Sequence, residues 1–282
     1  MADRDRATQY PFDRSRPRPQ LAAVLRATDR LVRVDDVMAT LGIDRPAAAK
    51  TLARWRAQGW LQRVGPGLYT PIPLDTLATE QVLDDPWILI PALFDPAYVG
   101  GWTAAEHWDL TEQLFRDILV FTTKPLRART RVVHGISFVL RHIRPATLFG
   151  TRTIWRGRIK VQISDIHRTM IDMLADPSAG GGIRHVADCL TAYFRHTDAD
   201  PPMLIRYAEI LKNGAVFKRL GFLASAFPDQ APLVEACRSR LTQGNAKLDP
   251  KLSCTKLVKA WRLWIPATWV RSPVGKDEAA HD

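Results

Sequence analysis

The residues best suited to molecular recognition in this sequence are cationic and polar side chains between positions 45 and 58. They are Arg45, Lys50, Thr51, Arg54 and Gln58. Arg and Lys side chains hydrogen bond to the acceptors of guanine in the major groove and neutralise phosphate groups. We therefore expect this segment to read duplex DNA. Two other interpretations of the same residues are a solvated basic helix face and a protein-binding module.

A second group of candidate DNA contacts flanks this segment. Arg63 precedes Gly65-Pro66-Gly67, where the glycines allow the positive φ angles of a tight turn. We expect Arg63, Gly65 and Gly67 to approach the phosphate backbone or the adjacent minor groove. Upstream, Arg16 and Arg18 lie in a polar stretch broken by prolines. This stretch is expected to form a basic arm that reaches the same duplex.

Enzymatic chemistry has little support in the sequence. The glycine runs 100–101 and 180–182 lack the Lys and the Ser or Thr of a phosphate-binding loop, so turns are the better interpretation. Residues 180–182 also precede an expected helix, whose N-terminus could meet an anion near Arg184 and His185. Ser164 or Asp165 stands where a helix N-cap is required, which favours capping over acid–base catalysis.

Metal chemistry is equally unsupported. The histidines that a metal site could draw on are His107, His134, His142, His167 and His185. They are scattered, with no cysteine or second histidine at ligand spacing. Lys160 lacks the clustered carboxylates of a metal-dependent nuclease. We expect no catalytic residues, no metal and no cofactor.

The expected elements would place the DNA-reading residues on one helix. Helices are predicted over 20–30, over 36–41 after an Asp35 cap, and from an Asp44 cap to about 58. Gly42 suits the end of the second helix because glycine tolerates a left-handed conformation. Residues 60–64 and 68–71 read as two strands. This order of elements is that of a winged helix-turn-helix.

The remaining sequence predicts a second, larger domain that mixes strands and helices. Strands are expected over 117–123, 131–133, 137–143 and 159–163, and helices over 103–110, 166–175, 183–195 and 202–211. The sequence thus predicts a mixed α/β fold, with an N-terminal winged helix-turn-helix domain and a larger C-terminal α/β or α+β domain. The expected boundaries are a basic arm at 1–19, the winged domain at 20–75, a linker at 76–96 with a short helix at 77–83, the second domain at 97–271 and a tail at 272–282.

Composition and charge are those of a folded protein that binds a polyanion. The chain has 282 residues and a net charge of +11, and residues 1–71 hold 13 basic and seven acidic residues. A basic excess concentrated in one domain is typical of nucleic-acid binding. The three cysteines are too few and too widely spaced for a disulfide framework, and we find no leader or membrane span. We expect a cytoplasmic protein.

Several motifs resemble those of one bacterial family. In the first domain they are Val34-Asp35-Asp36-Val37, Leu41-Gly42, Ala48 to Trp55, Gly59-Trp60-Leu61 and Gly65-Pro66-Gly67-Leu68-Tyr69. In the second domain they are Tyr98 to Trp108, Val120 to Lys124, Ser164-Asp165 with Arg168 to Asp172, and Ala215 to Phe222. This pattern is similar to that of the AbiEi-type antitoxins of type IV toxin–antitoxin systems, which are also transcriptional regulators. The likeness extends over roughly residues 21–223.

The resemblance implies a non-enzymatic antitoxin that represses its own operon. Its partners would be double-stranded operator DNA, bound by a monomer or a dimer, and a co-encoded nucleotidyltransferase-like toxin. The residues leave two alternatives open: a winged-domain nuclease or nucleotidyl-transferring enzyme, and a stand-alone ligand-responsive repressor. Arginines of the second domain could form a further binding surface, either for DNA or for the toxin. They are Arg127, Arg129, Arg131, Arg152, Arg156 and Arg158.

Overall fold

The computed structural model describes residues 17–28, 31–72 and 85–270. Its contacts divide the chain into two units. Among the described residues, the first unit comprises 17–28, 31–72 and the short segments 133–135 and 157–159, and the second unit comprises the others. No helix in the described ranges is long and apolar enough to cross a membrane.

The first unit consists of three helices and a small sheet. In chain order its elements are α1 (Pro17–Ala27), β1 (Val32–Arg33), α2 (Val34–Leu41), α3 (Arg45–Ala57), β2 (Leu61–Gly65) and β3 (Leu68–Pro71). The strands pair antiparallel in the order β1-β3-β2. The core is formed by apolar side chains from all three helices and from β1 and β2, namely Val24, Val32, Val37, Ala48, Leu52, Trp55 and Leu61. This architecture confirms the expected winged helix-turn-helix.

Three signals for the ends of α2 and α3 were expected, and two of them, Gly42 and Asp44, are confirmed. Gly42 ends α2 with a φ of 66°, and the Asp44 carboxylate accepts a hydrogen bond from the Ala47 amide at 2.8 Å. The expected Asp35 cap is wrong, because α2 begins directly after β1. Arg33 is the N-cap residue, and its amide donates to Asp36 at 2.7 Å. Asp35 is therefore left on the first turn of α2, facing solvent.

The second unit is built on a six-stranded mixed sheet. Its strands are β4 (Ala97–Val99), β5 (Ile118–Thr122), β6 (Thr130–Val133), β7 (Ile136–His142), β8 (Thr151–Arg156) and β9 (Ile159–Ser164). The strand order is β6-β7-β5-β4-β9-β8. β4 runs antiparallel to β5, whereas β5 with β7 and β4 with β9 run parallel. The four expected strands are confirmed within a residue or two, whereas β4 and β8 were not predicted.

Helices form the other layer of the second unit. They are α4 (Leu89–Phe94), α5 (Gly101–His107), α6 (Ile166–Ala175), α7 (Ile183–Arg195), α8 (Pro201–Leu211), α9 (Gly214–Ala224) and α10 (Ala231–Arg238). α6 is the central helix, because its residues 166–174 are all buried and it packs against α5, α7, α8 and α9. The helices expected over 166–175 and 183–195 are confirmed at both ends.

The last described segment forms a second, three-stranded sheet. Its strands are β10 (Ala246–Lys247), β11 (Lys256–Val258) and β12 (Leu263–Ile265), in the order β10-β12-β11. Trp261, in the turn between β11 and β12, is buried in the helical core.

The expected linker is partly structured. The 3-10 turn Pro86–Ile88 and α4 belong to the second unit, although they fall within the stretch expected to connect the domains. The short helix expected over 77–83 and the tail at 272–282 lie outside the described residues.

Candidate nucleic-acid interface

α3 is held by one apolar stripe and exposes the opposite side. Ala48, Leu52 and Trp55 each have no solvent-exposed surface, and their spacing of four and three residues places them on one face of a helix. With 100° per residue, the opposite face is centred between Lys50 and Ala53. The sequence therefore orients α3 by burying this stripe in the core of the first unit.

The outward face of α3 combines small side chains with cations. Lys50 and Arg54 are exposed, and so are the neighbouring Ala49 and Ala53. α3 carries four basic residues and no acidic one. Small alanines let a helix approach base edges closely, while Arg and Lys reach guanine acceptors and phosphates. The structure thus exposes Lys50 and Arg54 together on one face of α3, and their contact with DNA stays a prediction.

Arg45 has a partner that the sequence did not indicate. Its guanidinium forms a salt bridge with Asp35 of α2, with an N···O distance of 2.9 Å. Both side chains are largely exposed, at 68% and 72%. The same Asp35 that does not cap α2 thus neutralises the first cation of α3.

The other expected members of the interface are less uniformly placed. Gln58 is exposed and caps the C-terminal end of α3, whereas Thr51 is half-buried beside the core. Arg56 was not singled out from the sequence, yet it is an exposed cation of α3. The sequence did not distinguish it because it directly follows Trp55 of the buried stripe.

The β2–β3 hairpin forms a short wing. Its turn consists of Pro66 and Gly67 alone, and Gly67 adopts a φ of 65°, a conformation that favours glycine. The exposed Arg63 donates from Nε to the carbonyl of Gly65 at 3.1 Å. This hydrogen bond holds the Nε end of the guanidinium in place. Gly65 itself is buried, so it supplies backbone position rather than a contact surface.

A further cation beside the wing was not predicted. Arg33 is exposed on β1 and stands opposite Leu68, the first residue after the wing turn. A strand of two residues gives no alternation from which the sequence could reveal it.

The two arm residues differ in their placement. Arg16 lies outside the described residues, whereas Arg18 is exposed in the first turn of α1 rather than ahead of it. α1 begins early because Pro17 and Pro19 fit a first helical turn, where backbone amides have no intrahelical partner.

The residues weighed for acid–base chemistry in the second unit are used for structure. The Asp165 carboxylate accepts from the Arg168 amide at 2.7 Å and thereby caps α6, as expected. Arg168 and Asp172 form a buried ion pair at 2.8 Å, and the Tyr98 hydroxyl donates to Asp172 at 2.9 Å. Burial raises the pKa of Tyr98 well above its ordinary value, which keeps that donor protonated. This network satisfies its own members and leaves no free acid or base.

The glycine run 180–182 is a turn. Gly181 and Gly182 have φ angles of 76° and 109° after the 3-10 turn Pro177–Gly180. The amide of Ile183, at the start of α7, already donates to the Asp249 carboxylate at 3.1 Å. This helix end is therefore occupied by a side chain of the same chain, and the anion site considered there is not supported. Within the described ranges, no three His, Cys, Asp or Glu side chains are grouped to hold a metal ion.

Comparison with known proteins bears on the first unit most directly. Residues 19–72 match the model of a family described as a transcriptional regulator, AbiEi antitoxin. This match spans α1 to β3 and confirms the family resemblance over that segment. The motifs of the second domain lie outside it. None of the curated proteins matches the chain.

The fold of the chain also has a solved counterpart. It is similar to the crystal structure of the RV2827C protein from Mycobacterium tuberculosis, with a TM-score of 0.61 and 15% sequence identity. The similarity covers 91% of this chain and 92% of that one. At this identity the comparison shows a shared fold and carries no function.

Proposed function

We propose, from the match of residues 19–72 to AbiEi antitoxin regulators, that the chain is an autorepressor that binds operator DNA through α3 and the β2–β3 wing. The single observation that carries this proposal is the outward face of α3. Lys50 and Arg54 stand there among alanines, with no acidic side chain on the helix. Such a face is both attractive to phosphate and slim enough for the major groove.

Repression would follow from occupancy of the promoter. α3 would lie in the major groove while Arg63 and the wing turn contact the neighbouring backbone. Two copies on an inverted repeat, about one helical turn apart, would read both half-sites, whether the free protein is a monomer or a dimer. The bound copies would block access of RNA polymerase to the promoter.

The antitoxin part of the proposal assigns a role to the second unit. By analogy with the family, this unit would counteract a co-encoded nucleotidyltransferase-like toxin. In this unit Arg168, Asp172 and Tyr98 hydrogen bond to one another, and this network gives no support to a catalytic alternative. The proposal therefore separates DNA binding in the first unit from neutralisation in the second.

The experiment that tests DNA binding compares two duplexes at one salt concentration. Fluorescence anisotropy is measured with DNA from upstream of the gene and with a shuffled duplex of equal length. We expect clear preference for the upstream duplex, lost in Lys50→Glu/Arg54→Glu and retained in Arg206→Glu, which changes an exposed cation of α8. Equal affinity for both duplexes would refute the operator proposal.

Neutralisation is tested separately in cells. The adjacent gene is expressed with and without this chain, and growth is recorded. We expect the adjacent gene to be toxic alone and harmless with the full chain. Persistent growth arrest in the presence of folded full-length protein would contradict the antitoxin role without affecting the DNA-binding result.

A further inference from the structure

The second unit contains a cavity of about 740 Å³. Its lining includes the end of β7, at residues 140–142, and the connection between β5 and β6, at residues 126–129. Residues 249–251 after β10 complete it together with Asp176 and Ser178. Small-molecule sites in proteins usually have volumes of about 300–1,000 Å³, so this cavity has room for one ligand.

Cationic side chains that form no ion pair among the described residues line this cavity. They are Arg127, Arg129 and Lys251, and all three are exposed. In the part of the chain that the structure describes, none of these three side chains has a carboxylate within 4.0 Å. Cations that line one cavity repel each other, and an anion bound among them relieves that repulsion.

The two acidic residues of the lining do not supply that anion. Asp249 is only 2% exposed, and its carboxylate accepts from the amides of Ile183 at 3.1 Å and Lys251 at 2.9 Å. Asp176 accepts from the amide and the hydroxyl of Ser178 at 3.0 and 2.6 Å. Both carboxylates are engaged in local structure, and the lining still holds four cations, Arg127, Arg129, Arg141 and Lys251, against these two anions, so its net charge is positive.

Arg141 is held in a defined position in the cavity lining. Its Nε donates to Asp176 at 3.3 Å, and its Nη2 donates to Ser178 at 3.2 Å. Its Nη1 has no hydrogen-bond partner among the described residues. A guanidinium fixed in this way presents further N–H donors to a ligand at low entropic cost.

We propose that this cavity binds a small phosphate-bearing molecule. The phosphates would lie among Arg127, Arg129 and Lys251, with Arg141 as a further donor. Apolar lining from Leu126, Ala128, Leu140 and Pro250 offers a surface for the organic part of a nucleotide. The inference uses the second unit alone and does not depend on operator binding.

The test titrates the full chain with three probes by isothermal calorimetry at low salt and without divalent metal. The probes are inorganic triphosphate, ATP and adenosine. We expect saturable binding of triphosphate and ATP and none of adenosine. Tighter binding of ATP than of triphosphate identifies a nucleotide as the ligand, whereas equal affinity identifies an inorganic or simple phosphate compound.

Variants then locate the site. Arg127→Glu/Arg129→Glu should weaken triphosphate binding at least about ten-fold, because it reverses two of the positive charges in the lining. Arg206→Glu, which reverses an exposed cation of α8 that does not line the cavity, should change it by less than about two-fold. Lys251→Ala should weaken binding measurably and decides the matter if the double variant fails to fold by circular dichroism.

Four results would overturn the proposal. They are absence of heat with both triphosphate and ATP, binding of adenosine as tight as that of ATP, undiminished affinity in a folded double variant or in Lys251→Ala, and an equal loss in Arg206→Glu. Binding of a DNA oligonucleotide by these cavity residues, without binding of triphosphate or ATP, would also overturn it and assign the surface to nucleic acid.

Discussion

At the scale of single residues, the cations of α3 are not equivalent. Lys50 and Arg54 are exposed without an ion-pair partner among the described residues, whereas Arg45 is paired with Asp35. Exposed salt bridges contribute only about 0–1 kcal/mol to stability, so this pair costs little to break. It nevertheless places a negative charge at the edge of the proposed DNA-binding surface.

Arg54 provides the direct prediction for base reading. If Arg54 donates two hydrogen bonds to one guanine, Arg54→Ala should weaken operator binding by about 1 to 3 kcal/mol. The measurement is fluorescence anisotropy at fixed salt, with thermal unfolding to verify the fold. Unchanged operator affinity in a folded variant would contradict this assignment.

Asp35 provides a prediction of opposite sign. Asp35→Asn frees Arg45 and removes an anion from beside the duplex, so operator affinity should rise about two- to five-fold. The free energy of unfolding should fall by about 0.3–1 kcal/mol, because the Asp35 carboxylate in the first turn of α2 interacts favourably with the positive end of the helix dipole. Anisotropy and urea unfolding measure the two effects.

The matched control for this variant is Asp188→Asn, which removes an exposed carboxylate of α7. It should leave operator affinity unchanged. Equal or weaker DNA binding by Asp35→Asn would show that the pair with Arg45 does not oppose recognition.

His167 makes stability depend on pH. Burial lowers its pKa below the usual value of 6.5, so the unfolded chain takes up this proton first. Stability is therefore retained at neutral pH and lost as the pH falls below about 6.5. The thermal midpoint should drop between about pH 7 and pH 5, and it should drop less in His167→Gln.

The same series needs a control histidine. His142 is exposed on β7, so His142→Gln makes the same side-chain change without removing a buried imidazole. A slope that is identical in His167→Gln and the unaltered chain would exclude His167 as a source of the acid sensitivity.

At the scale of elements, α9 is packed unusually closely. A Cβ atom added to Gly221 would lie 2.2 Å from the Trp261 ring and 2.9 Å from Cys237 Cβ. Gly221→Ala should therefore destabilise the second unit by about 1–3 kcal/mol through overpacking. Denaturant unfolding measures the loss.

Gly244→Ala is the comparison for this substitution, since an added Cβ there meets nothing within 4 Å. It should change stability by less than about 0.5 kcal/mol. Equal stability of the two variants would show that α9 can shift away from Trp261 without cost.

The elements that the sequence predicted are those with a regular apolar period. α3 was recognised because its buried stripe and Asp44 cap are local signals, and α6 and α7 for similar reasons. β8 was not recognised, because its arginines read as polar while they pack on aromatic rings. Arg152 lies 5.7 Å from the Trp108 ring and Arg156 lies 4.7 Å from the Trp87 ring. Such long-range contacts have no sequence period.

In the candidate interface, too, features with a local period were predictable and long-range contacts were not. Exposure of Lys50 and Arg54 followed from the helical period alone. The Arg45–Asp35 pair joins two helices across ten positions, and Arg33 gains its place only through the pairing of β1 with β3. These relationships arise in the folded unit and could not be predicted from local spacing.

At the scale of the whole molecule, electrostatics should govern DNA affinity. The chain has a net charge of +11, and the described part of residues 17–72 holds eight basic and three acidic residues. Binding of a basic surface to DNA releases counterions, so affinity falls linearly with salt on logarithmic axes. The slope counts the phosphates that the protein neutralises.

Arg63 offers a test of this count. If it contacts a phosphate, Arg63→Gln should reduce the salt slope by about one and weaken specific and shuffled duplexes alike. Anisotropy over a salt series measures the slope, and Arg206→Gln should leave it unchanged. A loss confined to the operator duplex would instead make Arg63 a base-reading residue.

The three cysteines give this molecule a convenient route to site-selective labelling. Cys189 and Cys237 are fully buried, and burial raises the pKa of each thiol to about 12. Cys254 is only half-buried, with its sulfur donating to the carbonyl of Asp249 at 3.4 Å. A maleimide fluorophore should therefore attach to the native chain at Cys254, three residues after Lys251 in the lining of the proposed phosphate-binding cavity. Its emission would report occupancy of that cavity without any engineered cysteine.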